Sequence, residues 1–303
     1  MNEPLLLTPS PREKIWGTTE TSPWFPRSGR RIGEVWFLSE REPLPILVKF
    51  IFTSDKLSVQ VHPDDAYGQA HENSPGKTEM WHIVRAEPGA ALAVGLQREI
   101  SREALRDAAV SGEIEGFLNW VPVQPGDTIF VPARTIHAIG AGIALCEIQQ
   151  QSDVTYRLYD YGRPRELHLD RGIEVASLSK HPGKSVPSPL AEGEWRLAAC
   201  PYFVTDLIEF ASPRRFSPAG RGSQILIVLE GSGSLGRSTF GPGQAWLVPP
   251  GADDFLIQPE SKARLLRTYV PGPPFPVASG TPRDKAEPYP TLRVKRREAA
   301  GPR

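Results

Sequence analysis

Two alternating runs flank a polar stretch in the first third of the chain. In LSVQVH (57–62), Ser58, Gln60 and His62 alternate with Leu57, Val59 and Val61. Period-two alternation predicts a strand with those three polar side chains on one face. The chain then turns at Pro63, Asp64 and Asp65 and is expected to run on as a polar loop. A second alternating run follows, in which Lys77, Glu79 and Trp81 share a face. GEVWFL (33–38) is short, aromatic and β-prone. ILVKFIFT (46–53) is a near-continuous apolar strand interrupted by Lys49. Such a lysine points either out at a sheet edge or into a functional cavity, and residue type alone favours the edge.

Further on, HIVRAEPGAALAVGL (82–96) reads as strand, Pro88-Gly89 turn and strand. The best helical segment is Ser101–Phe117, with Ser101 as cap, Leu105 and Ala108 or Ala109 as a modest apolar stripe, and an end near Gly116. VPVQPGDTIFVPARTIHAI (121–139) gives strand, Pro-Gly turn, strand, proline break and His137. IALCEIQQQSDVTYRLYDYGR (143–163) gives one strand and an extended arm. Residues 1 to about 35 read as Pro/Gly/Ser/Arg-rich loops in which Trp16, Trp24 and Phe25 anchor onto a core.

An internal echo organises the rest. PGQAWLVPPGADDFLI (242–257) matches PGDTIFVPARTIHAI (125–139) turn for turn, with Asp254 where His137 stands. QILIVLEGSGSL (224–235) likewise resembles WHIVRAEPGAAL (81–92). Two copies of a strand–turn–strand unit imply two related β-barrels. The second copy has no histidine, since His181 is the last in the chain. The expected division is 1–163 for an N-terminal segment and equipped barrel, with a helical insertion at 101–117. A connecting segment at 164–194, a degenerate second barrel at 195–271 and a Pro-rich basic tail at 272–303 complete it.

Composition narrows the classes. The 303 residues are 39% hydrophobic and 23% charged, enough for a packed core. Lys+Arg and Asp+Glu are both 35, so no bulk charge draws the chain to nucleic acid or an anionic membrane. The VKRR of the tail reads as a solvated terminus. Two cysteines, Cys146 and Cys200, exclude a disulfide framework and a Cys-x-x-Cys zinc site. No apolar run reaches membrane-spanning length, and the N-terminus lacks the basic start and long apolar core of a signal peptide. A soluble cytoplasmic protein is expected.

The chemistry concentrates on four residues. Gln60 and His62 on one strand, Glu79 on the next and His137 after a Pro-Gly-Asp turn make a donor set suited to a borderline divalent metal. Two histidines, a carboxylate and an amide leave a position open for water or substrate, as catalytic sites do. His71, His82, His168 and His181 have no partner at a useful spacing, and His82 should face away from the pocket.

The segments VQVHPDD, GKTEMW, PGDTIFVPARTIHA and SDVTYRLYDYGR resemble type I mannose-6-phosphate isomerases in their short bacterial form, and so do IWG (15–17) and GEVW (33–36). That resemblance implies a mainly β fold of two cupin-type jelly-roll barrels with a small helical insertion. It implies one zinc ion per chain on Gln60, His62, Glu79 and His137. It places Arg157, Lys77 and Glu147 as catalytic residues, and Ser58, Lys49 and Asp153 as substrate-binding ones. The implied reaction interconverts mannose 6-phosphate and fructose 6-phosphate through an enediol, in a monomer or weak homo-oligomer with no nucleic-acid or membrane partner. The chain departs from the pattern at Thr18, where many relatives have a second glycine. Two rivals share the fold: another cupin metal enzyme such as an iron dioxygenase, and a non-catalytic cupin that binds sugar phosphates.

Overall fold

The computed structural model describes residues 3–272 other than 219 and 221. All but the first residue of the basic tail expected at 272–303 lies outside the described residues. The chain opens with β1 (Leu5–Leu6), β2 (Thr8–Thr18), β3 (Ile32–Leu38), β4 (Ile46–Phe52) and β5 (Val59–Val61). Helix α1 (Asp65–Glu72), β6 (Glu79–Ala86), β7 (Ala91–Leu96) and α2 (Arg102–Ser111) follow. Then come β8 (Leu118–Pro122), β9 (Thr128–Val131), β10 (His137–Ile139), β11 (Ile143–Gln150) and β12 (Tyr156–Tyr159). Helix α3 (Leu169–Val175) precedes β13 (Ser188–Ala191), β14 (Glu194–Ala199), β15 (Val204–Phe210) and β16 (Arg214–Phe216). The described part closes with β17 (Gln224–Glu230), β18 (Gly233–Leu235), β19 (Ser238–Phe240), β20 (Ala245–Val248), β21 (Phe255–Pro259) and β22 (Ala263–Tyr269).

These strands build four antiparallel sheets. A six-stranded sheet, β2-β3-β4-β11-β6-β9, and a five-stranded sheet, β12-β5-β10-β7-β8, belong to the first half. They enclose Trp16, Ile51, Trp81, Ile83, Leu92, Ile139 and Leu145. A seven-stranded sheet, β1-β20-β17-β22-β15-β14-β13, and a four-stranded one, β16-β21-β18-β19, belong to the second. Around Leu226, Val228, Trp246 and Leu265 they form another core. The two sheets of each half do not hydrogen-bond to each other among the described strands, so each of the two expected jelly-roll barrels is an open, cupin-like sandwich. The echoed segments hold matching places. β9 and β20 flank β6 and β17, while β10 and β21 lie in the facing sheets.

A third core joins the two halves. Val48, Phe50, Phe52, Cys146 and Ile148 of the six-stranded sheet pack with Leu207, Ile225, Ile227 and Leu266 of the seven-stranded sheet. Both large sheets are therefore buried on both faces, which is why β4 reads as a near-continuous apolar run. Lys49 corrects the expectation drawn from residue type. β4 is hydrogen-bonded on both sides, and Lys49 alternates inward with Ile51. The outer face of the five-stranded sheet is covered by helices, with Leu105, Ala108, Ala109 and Ile173 packed on Val59, Val61 and Leu158.

Three local departures have identifiable causes. The stretch read as a polar loop after Asp64 is helix α1. Asp64 caps it by accepting from the Tyr67 N–H, and Asn73 ends it in the left-handed conformation. α2 begins at the expected Ser101 cap but stops at Gly112, with φ 83°, before a separate 3-10 turn at Glu113–Phe117. The N-terminal region contains a long strand, β2, despite Pro9 and Pro11. It lies at a sheet edge, where a missing N–H is tolerated. Among the described residues, no helix is long and apolar enough to cross a membrane.

Candidate active site

Strand register brings the polar residues together. Gln60 of β5 lies opposite His137 on one side and Arg157 on the other, so the three project from one face of the five-stranded sheet. Val59 and Val61 turn to the helices; Gln60 therefore turns to the facing sheet. On that sheet Trp36, Lys49, Glu147 and Trp81 form one cross-strand row. Glu79 and Gln149 stand opposite each other one pleat along. Because Cys146 and Ile148 face the core between the halves, Glu147 and Gln149 face inward. A polar cluster thus sits between the sheets where β6 begins and β11 ends.

Both histidine rings have a defined orientation. His62 Nδ1 lies 2.9 Å from the Val154 carbonyl oxygen, and His137 Nδ1 lies 2.9 Å from that of Thr135. A carbonyl only accepts, so each Nδ1 carries the proton and each Nε2 turns its lone pair inward. His62 Nε2 is 3.5 Å from Glu79 Oε2, and His137 Nε2 is 3.4 Å from Glu79 Oε1. One donor atom from each of His62, Glu79 and His137 falls within 4.8 Å of the others. The Gln60 amide nitrogen is 3.2 Å from His137 Nε2. Turning that amide over presents its oxygen at the same point, and N and O are told apart only by such partners.

These residues fit a divalent cation. The donors are two neutral imidazoles and a carboxylate, each 1% exposed or less. Glu79 Oε2 is buried without a hydrogen-bond partner, although Lys77 Nζ stands 3.1 Å away. Burial first, then Lys77, pushes the His62 pKa well below its usual value. Burial likewise takes His137 down to about 4. Both are therefore neutral near pH 7, the form that binds metal.

Beside the donors lies an ionic row. Lys49 Nζ is 2.8 Å from Glu147 Oε1, and the Trp81 indole N–H donates to Glu147 Oε2 at 2.9 Å. Lys77 Nζ is 3.0 Å from His62 Nε2. Burial alone would raise Glu147, but Lys49 and then Lys77 hold its carboxyl below its usual range. Burial and then the Glu147 charge raise Glu79 to about 7.

The remaining expected residues fall at graded distances. Ser58 is buried and its hydroxyl donates to Gln60 Oε1 at 3.3 Å. Arg157 enters no ion pair among the described residues; its Nη1 donates to the Glu166 carbonyl at 2.7 Å, and its Nε is buried without a partner. Burial, then Arg165, lowers its pKa. Asp153 is exposed on the loop after β11 and reaches the cluster through its field on Lys49.

Sequence reasoning missed several supports. His168, read as partnerless, accepts from the Arg157 N–H through Nδ1 at 3.1 Å and donates its own N–H to the Arg157 carbonyl. Glu34 accepts from the Trp36 indole at 2.7 Å, while the Arg12 guanidinium stacks 3.7 Å above that ring. The GEVW segment carried a signal for this pair; nothing local signalled His168.

An open two-sheet β-sandwich carrying a buried His-Glu-His cluster that could hold a metal ion defines a protein of cupin type. No protein-family model matches the chain. Mannose-6-phosphate isomerase ManA of Bacillus subtilis is 32% identical over 307 residues, spanning 84% of this chain and 96% of that protein. Mannose-6-phosphate isomerase of Streptococcus mutans is 41% identical over 164 residues, a match that spans about half (51%) of that relative's length. The crystal structure of the Bacillus subtilis mannose 6-phosphate isomerase superposes with a TM-score of 0.79 at 27% identity, covering 88% of this chain and all (100%) of that one. The chain belongs to the mannose-6-phosphate isomerase family.

Proposed function

We propose that the chain is a zinc-dependent aldose–ketose isomerase interconverting mannose 6-phosphate and fructose 6-phosphate. The observation that carries this reading is the convergence of His62, Glu79 and His137 beside the buried Lys49–Glu147 pair, in a chain of this family. His62, Glu79, His137 and Gln60 would hold the ion. Zinc bound there supplies a Lewis acid that stabilises negative charge developing on the two substrate oxygens of an enediol. The chemistry of the donors, imidazole nitrogen with carboxylate and amide oxygen, suits zinc.

The protein's own groups supply the rest. Glu147 is the buried carboxylate held ionised by Lys49 and Lys77, and we assign it the proton moved between C1 and C2. Asp153, expected among the substrate-binding residues, is exposed and lies outside the ionic row. Lys77, 3.1 Å from Glu79, adds positive charge beside the reacting oxygens. Arg157, with Nε unpaired, faces the same cavity and is assigned to the phosphate or the enediol charge. Ser58 and Lys49 would contact the sugar from the two sheets. The chemistry then belongs to the unit we bound at 1–163, the second unit at 195–271 being its degenerate copy. The iron-dioxygenase alternative uses the same three donors but leaves the lysines and Arg157 without a role, and family membership favours the isomerase.

The test is a coupled assay of mannose 6-phosphate conversion, run on the protein as purified, after chelation and after zinc is restored. Activity that disappears and returns supports the proposal. A zinc-loaded protein that binds sugar phosphate without turnover would overturn it in favour of a binding role.

A further inference from the structure

One four-residue turn contacts His62 and His137 directly and Glu79 through its neighbour Thr78. In Pro132–Thr135 the Thr135 N–H closes on the Pro132 carbonyl at 3.2 Å. The Ala133 N–H donates at 3.1 Å to the hydroxyl of Thr78, the residue before Glu79. The Arg134 N–H donates at 2.7 Å to the carbonyl of His62. The Thr135 carbonyl accepts from His137 Nδ1. Whatever moves this turn moves the three donors relative to one another.

Arg134 sits in the turn at φ 75°, one of three non-glycine residues with positive φ among those described. A type II turn demands this conformation at its third position, where glycine is the unstrained choice. The arginine kept there is partly exposed and uses two of its nitrogens. Nε donates at 2.9 Å to the Val175 carbonyl at the end of α3, and Nη1 lies 3.3 Å from Asp64 Oδ2. Asp64 in turn caps α1, directly after His62-Pro63. The Arg134 carbonyl also accepts from Ser177 at 2.7 Å. The side chain thereby ties the turn to the C-terminal end of α3 and the N-terminal cap of α1.

We infer that Arg134 is a positioning residue whose side chain, braced on Val175 and Asp64, sets the spacing of His62, Glu79 and His137 for the metal. This inference rests on the metal-dependent reading above. It concerns a residue that touches neither substrate nor ion. Groups that hold ligands in place in this way typically change metal affinity by about 10–100-fold when removed.

The experiment compares wild type, Arg134→Gly and Asp64→Asn as full chains stripped of metal. Arg134→Gly relieves the backbone and keeps the N–H to His62, so it isolates the side-chain ties. Zinc affinity is measured by chelator competition, and the visible spectrum is recorded with Co2+ in place of zinc. Arg134→Gly should bind zinc about 10–100-fold more weakly, with altered Co2+ bands, while the stripped protein still melts cooperatively. Asp64→Asn retains the helix cap and should give a smaller loss of the same sign; it carries the test if the glycine variant does not fold. Wild-type zinc affinity and an unchanged Co2+ spectrum in these variants would overturn the inference, even with a lowered Tm, because the arginine would then serve the fold alone. If wild type binds neither zinc nor Co2+, the metal reading itself falls and takes this one with it.

Discussion

Lys49 and Glu147 stand directly opposite each other on β4 and β11, with 2.8 Å between Nζ and Oε1 and both side chains buried. Removing one partner leaves the other charge buried and unpaired, which typically costs about 3–5 kcal/mol. Glu147→Gln and Lys49→Met should each lower the unfolding free energy in urea by about that amount. The double variant Lys49→Met/Glu147→Leu should lose much less than the sum. Additive losses would show that the two charges are not coupled.

Glu147→Gln also separates chemistry from binding. A carboxylate that moves a proton typically contributes about 10²–10⁴-fold to the rate. The variant should lose turnover on that scale with KM for mannose 6-phosphate little changed and zinc content intact. A matching rise in KM would reassign Glu147 to substrate binding.

His137→Ala should lose metal and activity together, because it removes the donor that links Glu79 and Gln60 at 3.4 and 3.2 Å. Arg157→Ala should keep its metal and lose turnover. The two are distinguished by zinc content after gel filtration. An Arg157→Ala protein with near-normal turnover would show that its unpaired Nε faces nothing that matters to the reaction.

Much of this site was legible in the sequence because strands encode faces. Period-two alternation put Ser58, Gln60 and His62 on one side and Lys77, Glu79 and Trp81 on another, and the register agrees for Gln60 and Glu79. The Pro-Gly-Asp turn and the internal echo likewise located His137 and the paired units. What stayed hidden depends on contacts distant in sequence. Lys49 read as an edge residue because nothing local announces that a second sandwich covers the other face of β4. His168 lies 11 residues from Arg157 and meets it only after the chain between them turns back. Arg134 carries a residue type that gives no hint of positive φ; its conformation follows from what its neighbours bind.

His82 gives a pH dependence. It is buried on the face away from the site, with Nδ1 2.9 Å from the Thr128 hydroxyl. Burial, and then the Arg264 charge, lower its pKa to about 3, with Asp127 opposing. Above pH 6.5 it is neutral folded or unfolded and contributes nothing to the slope. Below that the unfolded chain takes up a proton that the folded chain refuses, so stability falls at up to about 1.4 kcal/mol per pH unit until the pH nears the folded value. His62 and His137, also lowered, act in the same direction. His82→Gln should flatten the dependence of urea stability between pH 6.5 and 4.5 by about one proton. An unchanged slope would mean that His82 is protonated in the folded protein.

Gly76 sets the position of Lys77. A Cβ added at Gly76 would fall 2.4 Å from the Asp64 carbonyl carbon and 2.5 Å from the Asp65 nitrogen, backbone atoms that cannot step aside alone. The Gly76 N–H also donates to Asp65 Oδ1 at 2.9 Å, and the Lys77 N–H to the Pro63 carbonyl at 3.0 Å. Gly76→Ala must therefore push the start of β6 away from the turn that carries His62. Overpacking of this kind typically costs about 1–3 kcal/mol. It should also weaken activity, because Lys77 Nζ is held within 3.1 Å of both His62 and Glu79. Gly89→Ala is the control. That glycine has φ 81° with nothing within 4 Å of an added Cβ, so its substitution strains the backbone without displacing a neighbour. Both variants should lower Tm, and only Gly76→Ala should reduce kcat/KM. Equal loss of activity in the two would mean that the site responds to global stability, and that the close packing of Gly76 on Asp64 does not place Lys77.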